Sequence, residues 1–133
     1  MKRELKFRAW DGEMFYHVDI EKNLNPMYPE YEPLSSDYLS VFWQLENKEM
    51  FTGLKDKNGK EIYEGDVIAP IAYKSIKSYQ VQVFFKNGMF CLKSKKPFLP
   101  ETLPLYSFID KCKKANTAIE VIGNIYENSD LLS

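Results

Sequence analysis

The groups in this chain able to act as nucleophile, acid or base are few. There is one histidine, His17, and there are two cysteines, Cys91 and Cys112. A thiol–imidazole dyad would need His17 and a cysteine brought together in space, with a third group orienting the ring. His17 stands in a strand-like run, where a half-buried structural histidine is expected. The cysteines lack metal-ligand spacing and form no CxxC pair, so reduced, packed thiols are expected. Asp56-Lys57-Asn58-Gly59 looks like the start of a calcium loop. The twelfth residue from Asp56 is Val67, however, where that loop requires a bidentate glutamate. The acid pairs Glu64/Asp66 and Glu30/Glu32 would work as acid and base only inside one cleft, and solvated loop carboxylates are expected instead. The glycines are too dispersed to cradle a phosphate. The sequence thus offers no catalytic site, no metal site and no cofactor site, and it does not read as an enzyme.

What remains is binding chemistry. The net charge of −1 hides a division. Between Ala9 and Met50 the acids are Asp11, Glu13, Asp19, Glu21, Glu30, Glu32, Asp37, Glu46 and Glu49, and the only bases are Lys22 and Lys48. From Val67 to Pro100 the charged residues are all lysines: Lys74, Lys77, Lys86, Lys93, Lys95 and Lys96. Ordinary solvated faces account for this, as do two complementary surfaces or one basic face for a polyanion. The 9 Tyr, 9 Phe and 2 Trp favour half-buried pleated surfaces and disfavour disorder.

The elements that would position these residues are mostly short strands. Leu5–Trp10 alternates, Asp11-Gly12 supplies a tight hairpin turn, and Met14–Ile20 returns. Pro26, Pro29 and Pro33 mark 21–33 as a loop. Ser35–Glu46 reads as a short helix, with Ser35, Ser36 or Asp37 as cap and Tyr38, Val41/Phe42 and Leu45 on one face, while its β-branched and aromatic content also allows a strand. Lys48–Gly53 is a strand, Asn58-Gly59 a reversal, and Glu61–Tyr63 a short strand. Val67–Tyr73 is a strand whose Pro70 suits an edge or a bulge. Ser78–Phe85 alternates cleanly, and Asn87-Gly88 turns it back into Met89–Lys93. Pro97, Pro100 and Pro104 mark a second long connection. Leu105–Ile109 reads as a strand or one helical turn. Ala118–Tyr126 is the last strand, and Asn128-Ser129-Asp130 caps a final turn. The expected fold is a single domain over 1–133. It is all-β or β-rich α+β: a small antiparallel barrel or sandwich with one or two short helices.

Three blocks of this framework resemble the YopX family, found in bacteriophages and in prophages of bacterial genomes. The first is Lys6-Phe7-Arg8-Ala9-Trp10-Asp11. The second is the run from Phe51 to Ile68, with Lys55-Asp56-Lys57-Asn58-Gly59-Lys60 and Tyr63-Glu64-Gly65-Asp66 in it. The third is Val121-Ile122-Gly123-Asn124-Ile125-Tyr126-Glu127-Asn128. Segments 21–46 and 94–117 match less well. The resemblance implies a mainly β fold and a phage or prophage gene expressed in a bacterial cytoplasm. It carries over no catalytic residue.

The motif blocks have two readings. In the structural one, Gly53, Gly59, Gly65 and Gly123 serve turns or close backbone approach. Asp56, Asn58 and Asp66 bond nearby amides, and Arg8 pairs with Asp66 or Glu64. In the other, Arg8, Trp10, Tyr63, Asp66 and Asn124 form an exposed ligand surface, with Asp11, Asn58, Gly59, Gly65 and Gly123 shaping it.

Two functions follow from different classes of evidence. One is a protein-interaction module that forms homo-oligomers or binds a phage or host protein, because aromatic side chains populate interface cores and sheet edges invite pairing. The other is an accessory protein that binds single-stranded nucleic acid along hairpin 73–96, using the six lysines with Tyr73, Tyr79, Phe84, Phe85 and Phe90. Against the second, Tyr79 and Phe85 share a face with Val81 and Val83 and are expected in the core, and the pI is 5.9. The start after Met1 is charged, and no run approaches the ~18 apolar residues of a membrane span, so a cytoplasmic location without membrane contact is expected.

Overall fold

The computed structural model describes residues 4–24, 34–73, 79–94, 103–128 and 130. The chain divides into two compact units, Met1–Gly53 and Leu54–Ser133.

In the first unit, β1 (Lys6–Trp10) pairs antiparallel with β2 (Phe15–Asp19), from Lys6↔Asp19 to Trp10↔Phe15. The reversal runs through Asp11–Met14 and is longer than an Asp11-Gly12 turn alone. Asp11 N–H donates to the Met14 carbonyl at 3.1 Å. Asp11 Oδ1 accepts from the Glu13 and Met14 N–H groups, each at 2.8 Å. Those donors, Met14 first and Glu13 second, draw the Asp11 carboxyl below its ordinary 3.8. An NMR titration of this carboxyl should therefore give a midpoint under 3.8. Because the folded value is depressed, its support of the hairpin is full above the unfolded value and is lost as pH falls through the folded one.

The segment after β2 is not loop from Glu21 onward. It opens with α1 (Ile20–Leu24). Asp19 Oδ1 accepts from the N–H groups of Glu21 and Lys22, at 3.1 and 2.9 Å, and that local cap favours a turn of helix. The three prolines of the expected loop lie outside the described residues.

The expected short helix is present as α2 (Ser36–Gln44), capped by Ser35, whose Oγ accepts from Tyr38 N–H at 3.1 Å. Lys48 closes the other end: its Nζ donates to the carbonyls of Leu45 at 2.6 Å and Trp43 at 2.9 Å. Strand β3 (Lys48–Lys55) then pairs with β1, Phe7 opposite Met50. Buried Ala9, Val18 and Phe42 form this unit's core, with Phe7, Tyr16, Tyr38 and Leu39 packed around it.

Strand β3 carries the chain into the second unit, followed by β4 (Glu61–Tyr63), β5 (Asp66–Pro70), a 3₁₀ turn (Ile71–Tyr73), β6 (Val81–Lys86), β7 (Met89–Ser94), α3 (Leu105–Lys114) and β8 (Ile119–Asn124). Strand orders are β2-β1-β3-β4 and β7-β6-β5-β8. Both sheets are antiparallel, and neither closes into a barrel. The β6–β7 hairpin forms as read, with Asn87 and Gly88 at φ 54° and 83°.

Two further expectations need correction. Pro70 lies on neither an edge strand nor a bulge: β5 is central, and its bulge falls between Val67 and Ile68. Pro70 is the last residue of β5, past the Val67↔Gln82 and Ile68↔Val81 pairs with β6, where its missing N–H costs no ladder bond. Leu105–Ile109 opens a ten-residue helix, α3, and is no strand. Leu105, Phe108, Ile109 and Cys112 recur at helical spacing and join the core of Ile62, Ile68, Val81, Val83, Leu92, Ile119 and Val121.

Candidate functional site

Most motif residues of the second unit converge on β8. One group is the turn after β3. Asp56 is 8% exposed, and its carboxylate accepts three backbone N–H groups. Oδ1 takes those of Asn58 and Lys60, at 2.8 and 2.9 Å, and Oδ2 takes that of Val121 at 3.0 Å. Lys57 N–H also donates to the Ile119 carbonyl at 3.0 Å. The reversal is thus clamped along β8. Gly59 sits in it at φ 79°, where a side chain would be strained, and donates its N–H to the Asp56 carbonyl. Asn58 is exposed and takes part through its N–H.

A second group surrounds the Asp66↔Asn124 register pair. Asp66 is 2% exposed, and its Oδ2 accepts from Tyr63 N–H at 2.8 Å, so it ties β5 back to β4. Gly65 donates to the Val83 carbonyl at 2.7 Å and accepts from Ile125 N–H at 3.0 Å. Asn124 Oδ1 accepts from Tyr126 and Glu127 N–H, and its Nδ2 donates to Glu127 Oε1 at 2.8 Å. Gly123 leaves room for Asn128, with which a Cβ would collide: Oδ1 at 2.5 Å, Cγ at 2.7 Å and Cβ at 2.8 Å. Gly123→Ala is expected to cost about 2 kcal/mol and lower the thermal midpoint several degrees. Adding Asn128→Gly removes all three clashing atoms and should recover most of that loss in the same circular-dichroism melt.

In the first unit Arg8 is 6% exposed, with its Nε donating to Glu49 Oε1 at 2.9 Å and its guanidinium 4.3 Å above the Phe15 ring. Glu49 was not among the partners expected for Arg8, and its only signal is its alternation within β3. Half-buried Trp10 meets Phe15 edge-on at 4.8 Å. His17 is exposed and not half-buried, while its backbone N–H donates to Tyr38 Oη at 2.6 Å. Of the proposed ligand surface, Arg8, Tyr63, Asp66 and Asn124 are each at most 7% exposed. Their polar groups are directed at the chain itself.

Lys86 and Lys93 are exposed on the β6–β7 hairpin. Lys74, Lys77, Lys95 and Lys96 lie outside the described residues. Tyr79 and Phe85 are not core: they are 38% and 47% exposed, because the buried part of the β6 face is confined to Val81 and Val83. Cys91 is buried, and burial pushes the half-buried Cys112 thiol above 9.0, which disfavours the nucleophilic thiolate. Among the described residues no group of three or more His, Cys, Asp or Glu could hold a metal ion. Trp43, on α2, is 53% exposed.

The family model described as YopX protein matches residues 6–133. A crystal structure of protein EF1440 from Enterococcus faecalis is similar at 28% identity, covering 97% of this chain and 98% of that one with a TM-score of 0.58. No curated protein matches. The three motif blocks, now seen as turn clamps and a buried ion pair, fall within a match of almost the full length, and the chain belongs to the YopX family.

Proposed function

We propose that this chain is a self-associating protein-interaction module, encoded by a phage or prophage and working in the host cytoplasm without a catalytic step of its own. The observation that carries the reading is Trp43, an exposed tryptophan on the acidic unit. Its ring packs edge-on against buried Phe42 at 5.1 Å, and Lys48 Nζ sits 6.0 Å from its centroid. Val41 beside it is 37% exposed. An exposed indole offers a large amphipathic area with few rotatable bonds, and tryptophans are enriched among the residues that carry interface energy.

The occupant we assign is a second copy, on grounds of charge. The first unit holds six Lys and Arg against ten Asp and Glu, net −4, and the second holds twelve against nine, net +3. A two-fold dimer would bring the acidic unit of each copy to the basic unit of the other, making the contact twice. Phage or prophage origin rests on family membership. No helix among the described residues is long and apolar enough to cross a membrane.

Trp43→Ala tests the reading. Light scattering should show the wild type above monomer mass near 100 µM, with the variant's dissociation constant raised about 30-fold, as loss of a 2 kcal/mol anchor requires. An unaltered constant in a folded variant contradicts the proposal.

A further inference from the structure

Beside the Asp56 turn lies a cleft of about 240 Å³ within the second unit. Its apolar lining is Ile109, Ala118 and Ile119, and its charged lining is Lys55, Lys57, Lys113 and Asp56. Among the described residues none of these three lysines makes a salt bridge. Asp110, the one acid of α3, is taken by Lys114 at 3.0 Å. Asp56 keeps its negative charge, but both of its oxygens are engaged by backbone N–H groups, and three lysines outnumber it in the lining. Three lysines against one acid in the lining of a concave apolar wall make the potential there positive. Their anchorage is firm: Lys57 N–H is bonded to Ile119, Lys55 ends β3, and Lys113 is in the last turn of α3.

We propose that this cleft binds a small organic phosphate, of the size and chemistry of a nucleoside monophosphate. The phosphate would take charge-assisted hydrogen bonds from Lys55, Lys57 and Lys113, and its organic body would cover Ile109, Ala118 and Ile119. The volume lies just under the usual range for ligand pockets, roughly 300–1,000 Å³, which suits one small molecule and not a threaded polymer. These are not the lysines that charge counting along the chain brought forward. Sequence distance hides the cluster, because Lys113 is remote from Lys55 and Lys57 and reaches them only through the packing of α3.

The test is an amide NMR titration with uridine monophosphate, uridine and inorganic phosphate, each at about 50 mM salt. Uridine monophosphate should shift the amides of Lys57, Thr117 and Ile119. It should bind at least about tenfold more tightly than phosphate, while uridine alone should not bind. The Lys57→Ala/Lys113→Ala pair should weaken it about 30-fold with the thermal midpoint unchanged. Equal affinity for phosphate and the nucleotide would reduce the site to diffuse charge attraction and overturn the proposal. So would shifts confined to other parts of the chain, or nucleotide binding that survives the double substitution.

Discussion

Glu49→Ala is expected to destabilise the first unit by about 3 kcal/mol, the largest single effect in that unit. Arg8 and Glu49 side chains are each 7% exposed, so the pair is held away from water. Removing the carboxylate takes a 2.9 Å charge-assisted bond from a buried guanidinium, and the stack on Phe15 does not replace that bond. Both tryptophans, Trp10 and Trp43, belong to this unit, so indole fluorescence during urea unfolding reports on it directly. The midpoint should fall with the slope unchanged. Arg8→Met combined with Glu49→Leu should be milder than Glu49→Ala alone, because neither charge of this pair then remains buried.

Asp56→Ala is expected to cost the second unit a similar amount, about 3 kcal/mol. One carboxylate satisfies three N–H groups, and the Val121 donor lies in a buried strand position where water does not replace it. Asp56→Asn is the sharper variant. Its amide keeps one oxygen for Asn58 and Lys60 but turns an NH₂ towards the Val121 N–H, so at least half of the loss should remain. Hydrogen exchange at Val121 should quicken in both. A loss under about 1 kcal/mol for the alanine variant would show that the turn is not clamped to β8 by this side chain.

The legible parts of this fold were those fixed by local chemistry. Asn87-Gly88 demanded a left-handed turn, and the β6–β7 hairpin followed. Ser35 announced α2, and Asp56 and Asp66 announced backbone acceptance near themselves. Partners distant in sequence were not legible. Nothing near Arg8 pointed to Glu49, and nothing near Asp56 pointed to Val121, because sheet register decides both. Helix α3 was hidden by its setting, since the prolines before it suggested irregular chain and its apolar stripe extends past Ile109 to Cys112. Phe85 and Tyr79 obeyed the alternation of a buried strand face and yet lie beyond its buried stretch. Alternation gives the face a residue occupies and not how far along that face the core extends. The segregation of acids from lysines was readable as charge order, but only the division into two units gave each sign a body of its own.

Sedimentation equilibrium of the unaltered chain at about 50 mM and about 500 mM salt addresses self-association most directly, since these conditions weaken charge pairing without touching a residue. A weight-average mass above the monomer at the lower salt, falling towards the monomer at the higher, is the predicted result. A monomer in both, at every concentration reached, would contradict the account.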